Sequence, residues 1–241
     1  MDLPSRTLRY LTGRLAAREI GTRWRHLTAG RQALLALAHL RCGDTYTQLA
    51  AGSGIGIATA YRHIREAVHV LAALTPTLAE AMRITRTKAL VTLDGTPLPI
   101  NRIAANTPYH SGKHKRHGMN IHVLTDPIDR PLRASPTLPG STHDLTTART
   151  QDIAQPLTDA SLKCRADKAY QGADDPIRAP FRARRLKQRQ RHHNSTHAKI
   201  RYLGERPWPP SSWRLLRKLR YSTNCITAIV QAIPVLHHAS A

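Results

Sequence analysis

The sequence predicts an all-α domain followed by an α/β domain. Up to about residue 87, apolar residues recur at helical spacing and are interrupted by glycine turns. From Lys88 onward, short β-rich apolar runs alternate with helical segments. The chain has 241 residues and 41% hydrophobic content, enough for a core in each part. We therefore expect a helical domain over 1–87 and an α/β domain over 88–241.

The charge balance predicts a polyanionic partner. Lys plus Arg is 37 and Asp plus Glu is 15, which gives a net charge of +22. A membrane surface is the rival partner, but the apolar stretch ITAIVQAIPVL is too short to span a bilayer and no signal-peptide run is present. Cys42, Cys164 and Cys225 are far apart, so we expect reduced thiols in a cytoplasmic protein.

The first domain contains three consecutive helix signals. RQALLALAHL, residues 31–40, is an aliphatic helix. Thr45 and Gln48 form a capping box that begins a second helix, and the glycines at 52–54 end it. A third helix is predicted over 56–74, with a buried stripe made of Ile57, Tyr61, Ile64, Val68 and Leu71.

Residues 31–74 thus contain a predicted helix, a short glycine turn and a further helix. This is the geometry of a helix-turn-helix, whose second helix enters the major groove of DNA. The candidates for DNA contact lie off the apolar stripe: Thr59, Arg62, His63 and Arg65. A plain helical bundle with a solvated basic face is the alternative, and the charge balance favours DNA. The segment 75–88 is predicted to be a linking helix.

In the second domain the elements occur in the order of a ribonuclease-H-like α/β core. Strands are predicted at 89–95, 117–127, 130–138 and 161–172, and helices at 144–155 and 194–206. Ser141 or Thr142 is expected to cap the first helix, and Asn194 or Ser195 the second. In such a core the first and fourth strands are neighbours.

Two aspartates stand out because each ends an apolar strand: Asp94 and Asp167. Glu205, at the end of the late helix, is the single glutamate of the larger domain. Carboxylates packed together repel one another unless cations neutralise them, and Mg²⁺ prefers such oxygen ligands. The other aspartates are interpreted as solvated turn or surface residues: Asp126, Asp129, Asp152, Asp159, Asp174 and Asp175.

Basic side chains are interleaved with histidines at 110–122. Lys113, His114, Lys115 and Arg116 predict a basic hairpin that crosses phosphates. The neighbouring histidines fit that hairpin better than a zinc site: His110, His117, His122 and His143. The arginine-rich run over 178–191 is either a backbone-binding loop or a solvated one.

Taken together, ordered blocks resemble the DDE transposases of bacterial insertion sequences that carry an N-terminal helix-turn-helix. The blocks cover nearly the whole chain: LDGTPLPI, YHSGKHKRHGMN, LPGSTHDLTTAR, ADKAYQGA, NSTHAKIRYLGER and WRLLRKLRYS. A single block would be weak evidence, whereas the set in this order is specific.

The resemblance implies a catalytic and metal-binding triad of Asp94, Asp167 and Glu205 that holds two Mg²⁺ ions, with Mn²⁺ as a substitute. Arg201 matches the arginine of the family's R-x-x-x-E signature and is a candidate DNA contact. The implied activity is cleavage and strand transfer at the terminal inverted repeats of a mobile element. The implied partners are repeat and target double-stranded DNA and further copies of the chain, in the bacterial cytoplasm at the nucleoid.

Two further residues belong to matching blocks. Asp144, in PGSTHD, is interpreted as a residue behind the metal ligands or as a helix-start residue, where the helix dipole favours it. Tyr170 either positions DNA or packs in the core.

One segment departs from the family pattern. Ser212 stands where the family has a lysine, and Pro207, Pro209 and Pro210 interrupt the connection after Glu205. A residue before proline is pushed out of helical geometry, so the helix is predicted to end at Arg206, with a new one from Ser211 or Ser212. A catalytically inactive, transposase-derived DNA-binding protein is therefore the alternative.

Overall fold

In the computed structural model the chain forms two compact units, Met1–Thr75 with Pro209–Ala241, and Pro76–Trp208. The structure describes residues 5–18, 26–86, 88, 90–100, 107–112, 115–128, 130–202, 213–217 and 219–240. The predicted domains divide the chain once, near residue 87, whereas the contacts divide it twice. The segment after 208 belongs to the helical unit.

Helices and strands are distributed as the fold class predicts, with helices first and a mixed α/β region after them. The helices of the described residues are α1 (Ser5–Ala16), α2 (Ala29–Cys42), α3 (Tyr46–Ser53), α4 (Ile57–Ala72), α5 (Leu78–Thr85), α6 (Asp144–Thr150), α7 (Ala154–Asp159), α8 (Gln188–Tyr202) and α9 (Thr223–Ser240). The strands are β1 (Leu90–Pro99), β2 (His110–Ser111), β3 (Arg116–Thr125), β4 (Pro131–Ala134), β5 (Leu138–Pro139), β6 (Lys163–Ala166) and β7 (Ile177–Arg178).

The predicted capping box at the start of α3 is confirmed. The Gln48 amide donates to Thr45 Oγ1 at 3.3 Å, and the Thr45 amide donates to Gln48 Oε1 at 2.9 Å. Gly54 ends α3 with φ +65, a left-handed conformation that glycine adopts without steric cost. Gly56 then caps α4. The three helices predicted over 31–74 are therefore present, joined by a short glycine turn.

The predicted buried stripe of α4 is only half right. Ile64, Val68 and Leu71 are buried, but Ile57 is 53% exposed and Tyr61 is 36% exposed. The predicted stripe includes large side chains alone. Alanines of α4 also face the core. When they are included, the buried face of α4 lies on a different side of the helix from Ile57 and Tyr61.

This rotated face is formed by residues at helical spacing. Ala60, Ile64, Ala67 and Leu71 are each 2% exposed or less. Because alanine is small, neighbouring helices can pack close to the backbone of α4. The large apolar residues at the N-terminal end of α4 are left at the surface as a result.

The C-terminal segment completes the helical unit. Helix α9 packs against α1 and α4, and its apolar side chains are buried: Ile226, Ile229, Val230, Ile233 and Leu236. Upstream of α9, Tyr221 and the buried His39 share a hydrogen bond of 2.5 Å between the hydroxyl and Nε2. The start of the helix predicted from Ser211 or Ser212 lies outside the described residues. Just after it, the described residues Arg214–Arg217 form a 3₁₀ helix.

The second unit is built on one mixed sheet. Strand β1 pairs antiparallel with β3 and parallel with β6; β3 pairs antiparallel with β2, β4 and β5; β6 pairs parallel with β7. The strands predicted first and fourth, now β1 and β6, are therefore neighbours. A hydrophobic core on one face joins the sheet to α5, α6 and α7, and includes Val91, Leu93, Ala148, Leu157 and Ala166.

Helix starts in this unit differ from the predicted ones. His143, not Ser141 or Thr142, precedes α6, and the Ser141 hydroxyl instead donates to the carbonyl of Pro108. The predicted helix over 144–155 is split into α6 and α7.

Helix α8 begins at Gln188, so that Asn194 and Ser195 lie inside it and cannot cap it. The Asn194 side chain accepts from the Phe181 amide and donates to the Phe181 carbonyl, at 2.8 and 2.9 Å. Asparagine thus satisfies the backbone of a neighbouring chain segment instead of the start of its own helix.

The interpretation of Asp126 as a solvated turn residue is wrong. Asp126 is 1% exposed and accepts hydrogen bonds from the amides of Ile128 and Arg130 and from the Arg130 guanidinium. These donors replace water, so the carboxylate can be buried. The surface interpretation holds for Asp152, Asp159, Asp174 and Asp175, and Asp129 lies outside the described residues.

No helix among the described residues is long and apolar enough to cross a membrane.

Two isoleucines of α4 offer a matched test of its buried face. We expect Ile64→Ala to lower the free energy of unfolding by about 2–5 kcal/mol, because a buried side chain is lost and a cavity remains. Ile57→Ala should change it by less than about 1 kcal/mol, because Ile57 is half exposed. Urea denaturation of both variants measures the difference. Equal losses would contradict the rotated face of α4.

Candidate active site and nucleic-acid interface

Asp94 and Asp167 lie at the same end of two neighbouring parallel strands. The ladder between β1 and β6 ends with Leu93 opposite Ala166, and each aspartate is the next residue. Asp167 leaves the sheet there and accepts a hydrogen bond of 2.8 Å from the Ala169 amide. Asp94, predicted at the exit of its strand, lies within it, because β1 continues to Pro99 along β3.

Arg201, from the last turn of α8, contacts the first of these carboxylates. Its Nη2 lies 3.3 Å from Asp94 Oδ1, and the two side chains are 15% and 48% exposed. An ion pair this open to water adds little stability. Arg201 was predicted as a DNA contact, and the structure adds a carboxylate partner, Asp94. Glu205, the third predicted triad member, lies outside the described residues.

Asp144 approaches the strand that carries Asp94. It is the first residue of α6, and a Cβ added at Gly95 would lie 2.5 Å from its Oδ1. Asn120 Nδ2 donates to the same oxygen at 2.7 Å. The predicted position at a helix start is correct, but the contact with the residue after Asp94 was missed. The signal available in the sequence was Gly95 itself.

Two neutral polar side chains are buried beside Asp144. Tyr170 is 1% exposed and His122 is 2% exposed, with ring centroids 5.3 Å apart. Among the described residues, neither the Tyr170 hydroxyl nor either ring nitrogen of His122 has a hydrogen-bond partner.

The pKa shifts of these two groups report their surroundings. Burial, and then the charges of Asp144, Asp94 and Asp167, raise the pKa of Tyr170. Burial lowers the pKa of His122 to about 4, although the charge of Asp144 opposes the shift. Both side chains are therefore uncharged near neutral pH, and three carboxylates lie close enough to Tyr170 to affect its ionisation.

Two of the predicted ligands suit a hard divalent cation. Asp94 and Asp167 offer carboxylate oxygens, the ligands that Mg²⁺ prefers. The described part of the chain contains no group of three or more His, Cys, Asp or Glu side chains already gathered at metal-binding distance. Tyr170 is buried and uncharged, and its hydroxyl has no hydrogen-bond partner among the described residues.

The exposed face of α4 carries three of the four predicted DNA contacts. Arg62 and Arg65 are exposed, and Arg62 donates to Thr59 Oγ1 at 3.3 Å. Arg65 donates to the Tyr61 hydroxyl at 2.9 Å. His63 was wrongly placed on this face: it is 9% exposed, next to the buried alanines, and its carbonyl accepts from Gln32.

The predicted basic hairpin corresponds to β2 and the start of β3. Lys115 and Arg116 are exposed, whereas Lys113 and His114 lie outside the described residues. The rings of His110 and His117 pack across the hairpin with centroids 5.2 Å apart. Farther along, the arginine-rich run is partly helical, because α8 includes its last residues.

Two family models match this architecture. The model described as DDE superfamily endonuclease matches residues 93–238. The chain belongs to this family. The model described as helix-turn-helix of DDE superfamily endonuclease matches residues 25–77. The resemblance to DDE-type transposases is therefore confirmed, and no curated protein or solved structure matches the chain.

Membership of the DDE superfamily defines a coarse function. Its endonuclease domain and its helix-turn-helix belong to transposase-like nucleases that bind DNA, so DNA is the implied partner. The family generally uses divalent metal ions, which agrees with the oxygen donors around Asp94.

The low pKa of His122 predicts a pH-dependent stability. Its pKa is about 4 in the folded chain and about 6.5 when unfolded, so the unfolded state binds an extra proton between these values. Stability should therefore fall as pH drops from 6.5 to 4, by up to about 1.4 kcal/mol per pH unit from this group. Urea denaturation across this range measures it.

His122→Leu is the control for this prediction, because it removes the titrating ring and leaves the other buried histidines in place. The pH profile of the variant should be shallower than that of the wild type between pH 6.5 and 4. Parallel profiles would contradict a neutral, buried His122.

Proposed function

We propose that the chain is a DNA transposase that binds the terminal inverted repeats of a mobile element and catalyses Mg²⁺-dependent strand cleavage and strand transfer. The observation that carries the proposal is the end of the β1–β6 ladder, where Asp94 and Asp167 each follow the last paired residue of two neighbouring strands in a chain of the DDE family. The strand order, with β1 between β3 and β6, supports a ribonuclease-H-like core.

Asp94, Asp167 and Glu205 are the proposed catalytic and metal-binding residues. They would hold two Mg²⁺ ions, for which Mn²⁺ can substitute, since carboxylates are the ligands these ions prefer. When bound, such ions activate an attacking oxygen and stabilise the leaving oxygen at phosphorus.

Contacts within the chain orient two of the proposed ligands without a bound ion. Arg201 partly neutralises Asp94 through the contact at 3.3 Å. Asp167 is oriented by the Ala169 amide, which donates to its Oδ1. Burial raises the pKa of Tyr170, so this nearby side chain stays uncharged and adds no negative charge. These contacts orient two of the three proposed ligands.

Residues 1–87 are the proposed DNA-reading domain, and 88–241 the proposed catalytic domain, with α9 contributing to the helical unit. Arg62, Arg65 and Thr59 would contact DNA from the exposed face of α4, while Lys113, His114, Lys115, Arg116 and Arg201 would contact phosphates. Pairing of two element ends implies at least a dimer on DNA, at the bacterial nucleoid.

An inactive DNA-binding derivative is the second candidate. Pro207, Pro209, Pro210 and Ser212 follow Glu205 where the family continues a helix to a lysine. A displaced Glu205 would leave the DNA-binding function intact and remove cleavage.

Cleavage is tested with terminal-repeat DNA, Mg²⁺ or Mn²⁺, and the full chain. We expect metal-dependent nicking by the wild type and its loss in Asp94→Asn, because one proposed ligand loses its charge. Asp174→Asn is the matched control, since Asp174 is an exposed aspartate of the same unit. Binding without nicking by the wild type would favour the inactive derivative.

Arg62 provides a test of the DNA-reading face. We expect Arg62→Ala to weaken binding to repeat DNA. The slope of log affinity against log salt concentration should become shallower by about one, because one positive charge that would contact a phosphate is lost. Arg62→Lys keeps the charge and should retain the slope. Titrations at several salt concentrations measure both. An unchanged slope in Arg62→Ala would remove Arg62 from the interface.

A further inference from the structure

Tyr61 lies on the exposed face of α4, beside the proposed DNA contacts. It is 36% exposed, although it was predicted to belong to the buried stripe of this helix. Arg65 follows it by four residues, which places the two side chains on the same side of α4, and Arg65 is exposed as well. Both side chains are therefore present at the surface that the proposed function assigns to DNA.

Two contacts hold Arg65 against Tyr61. Arg65 Nη1 donates to the Tyr61 hydroxyl at 2.9 Å, and the guanidinium carbon lies 5.4 Å from the centroid of the Tyr61 ring. The first distance is that of a well-formed hydrogen bond, and the second is within the range of cation–π attraction. The orientation of the guanidinium is therefore set by both the hydroxyl and the ring of Tyr61.

The ring of Tyr61 is itself supported from α3. It packs edge-on against the ring of Tyr46, with centroids 5.3 Å apart. Tyr46 in turn stacks on the buried ring of His39, with centroids 4.8 Å apart. Three rings thus form a continuous row from the core of the helical unit to the surface of α4.

Hydrogen bonds fix the inner end of this row. His39 Nδ1 lies 2.6 Å from the carbonyl oxygen of Asp44, which can only accept, so Nδ1 carries the proton. Burial lowers the pKa of His39, so its ring is neutral and Nε2 accepts from the Tyr221 hydroxyl. The Tyr221 oxygen then accepts from the Tyr46 hydroxyl, with which it shares a hydrogen bond. The ring that supports Tyr61 is therefore held by both a stack and a hydrogen bond.

A held arginine differs from a mobile one in its cost of binding. A long side chain that moves freely in the unbound protein loses conformational freedom when a ligand fixes it, and affinity falls as a result. Arg62, the other exposed arginine of this face, has a different partner, because it donates to Thr59 Oγ1 at 3.3 Å. The contacts with Tyr61 thus distinguish Arg65 from Arg62.

We propose that Tyr61 is a positioning residue of the DNA-reading face: it holds the Arg65 guanidinium in one orientation before DNA binds. Arg65 then loses less conformational freedom on the duplex. The inference rests on the proposed function, because Arg65 is a proposed DNA contact. It gives Tyr61 a role in DNA binding that acts through Arg65.

A double-mutant cycle on the full chain separates this role from a direct contact with DNA. Affinity for a duplex of the terminal repeat is measured by fluorescence anisotropy for the wild type, Tyr61→Phe, Arg65→Ala and the double variant. Tyr61→Phe keeps the ring and removes only the hydroxyl. We expect it to weaken binding about threefold to tenfold, because Arg65 loses the hydrogen bond that orients it. In the Arg65→Ala background the same substitution should have no effect, since no guanidinium is left to position.

Arg62→Ala provides the matched background, because Arg62 is exposed on the same face and donates to Thr59 rather than to Tyr61. We expect Tyr61→Phe to weaken binding in this background by the same factor as in the wild type. The melting temperature of Tyr61→Phe should equal that of the wild type, because the ring keeps its contact with Tyr46.

An equal loss of affinity on Tyr61→Phe with and without Arg65 would overturn the inference. Tyr61 would then be a direct DNA contact or, if the melting temperature also fell, a structural residue. Wild-type affinity in Tyr61→Phe or in Arg65→Ala would overturn the inference as well and leave the proposed function standing. A wild-type chain that does not bind the repeat duplex would overturn the proposed function together with the inference.

Discussion

The candidate site depends on the register between β1 and β6. Val91 and Leu93 alternate into the core together with Cys164 and Ala166 of the neighbouring strand, and all four are fully buried. A slip of one residue would turn every side chain of a strand to the opposite face. Hydrophobic burial therefore fixes the register, and the register delivers Asp94 and Asp167 to the same point where the ladder ends.

Features that depend on residues close in sequence were predictable. The capping box of Thr45 and Gln48 joins residues three apart, and the strands around Asp94 and Asp167 are marked by apolar runs. These signals are local, and DDE family membership confirms the function class they suggested. The rotation of α4 was missed because alanine was not counted as a core residue, although the close approach of helices makes it one.

Features that depend on distant residues were not predictable. The hydrogen bond between His39 and Tyr221 joins residues 182 apart in the sequence, and neither residue carries a local signal for it. The contact between Asp144 and Gly95 likewise joins separate elements, and a glycine within a strand can equally mark a bulge or a bend. The role of Glu205 stays a prediction, because Glu205 is not among the described residues.

The position of α9 has a consequence for how the protein is made. During translation, α1 to α4 emerge from the ribosome first and the α/β unit follows. Helix α9, which packs against α4, emerges last. During that interval the nascent helices expose apolar surface, which invites chaperone binding or aggregation. A message cut short before α9 would thus yield a chain in which the apolar face of α4 that packs against α9 stays uncovered.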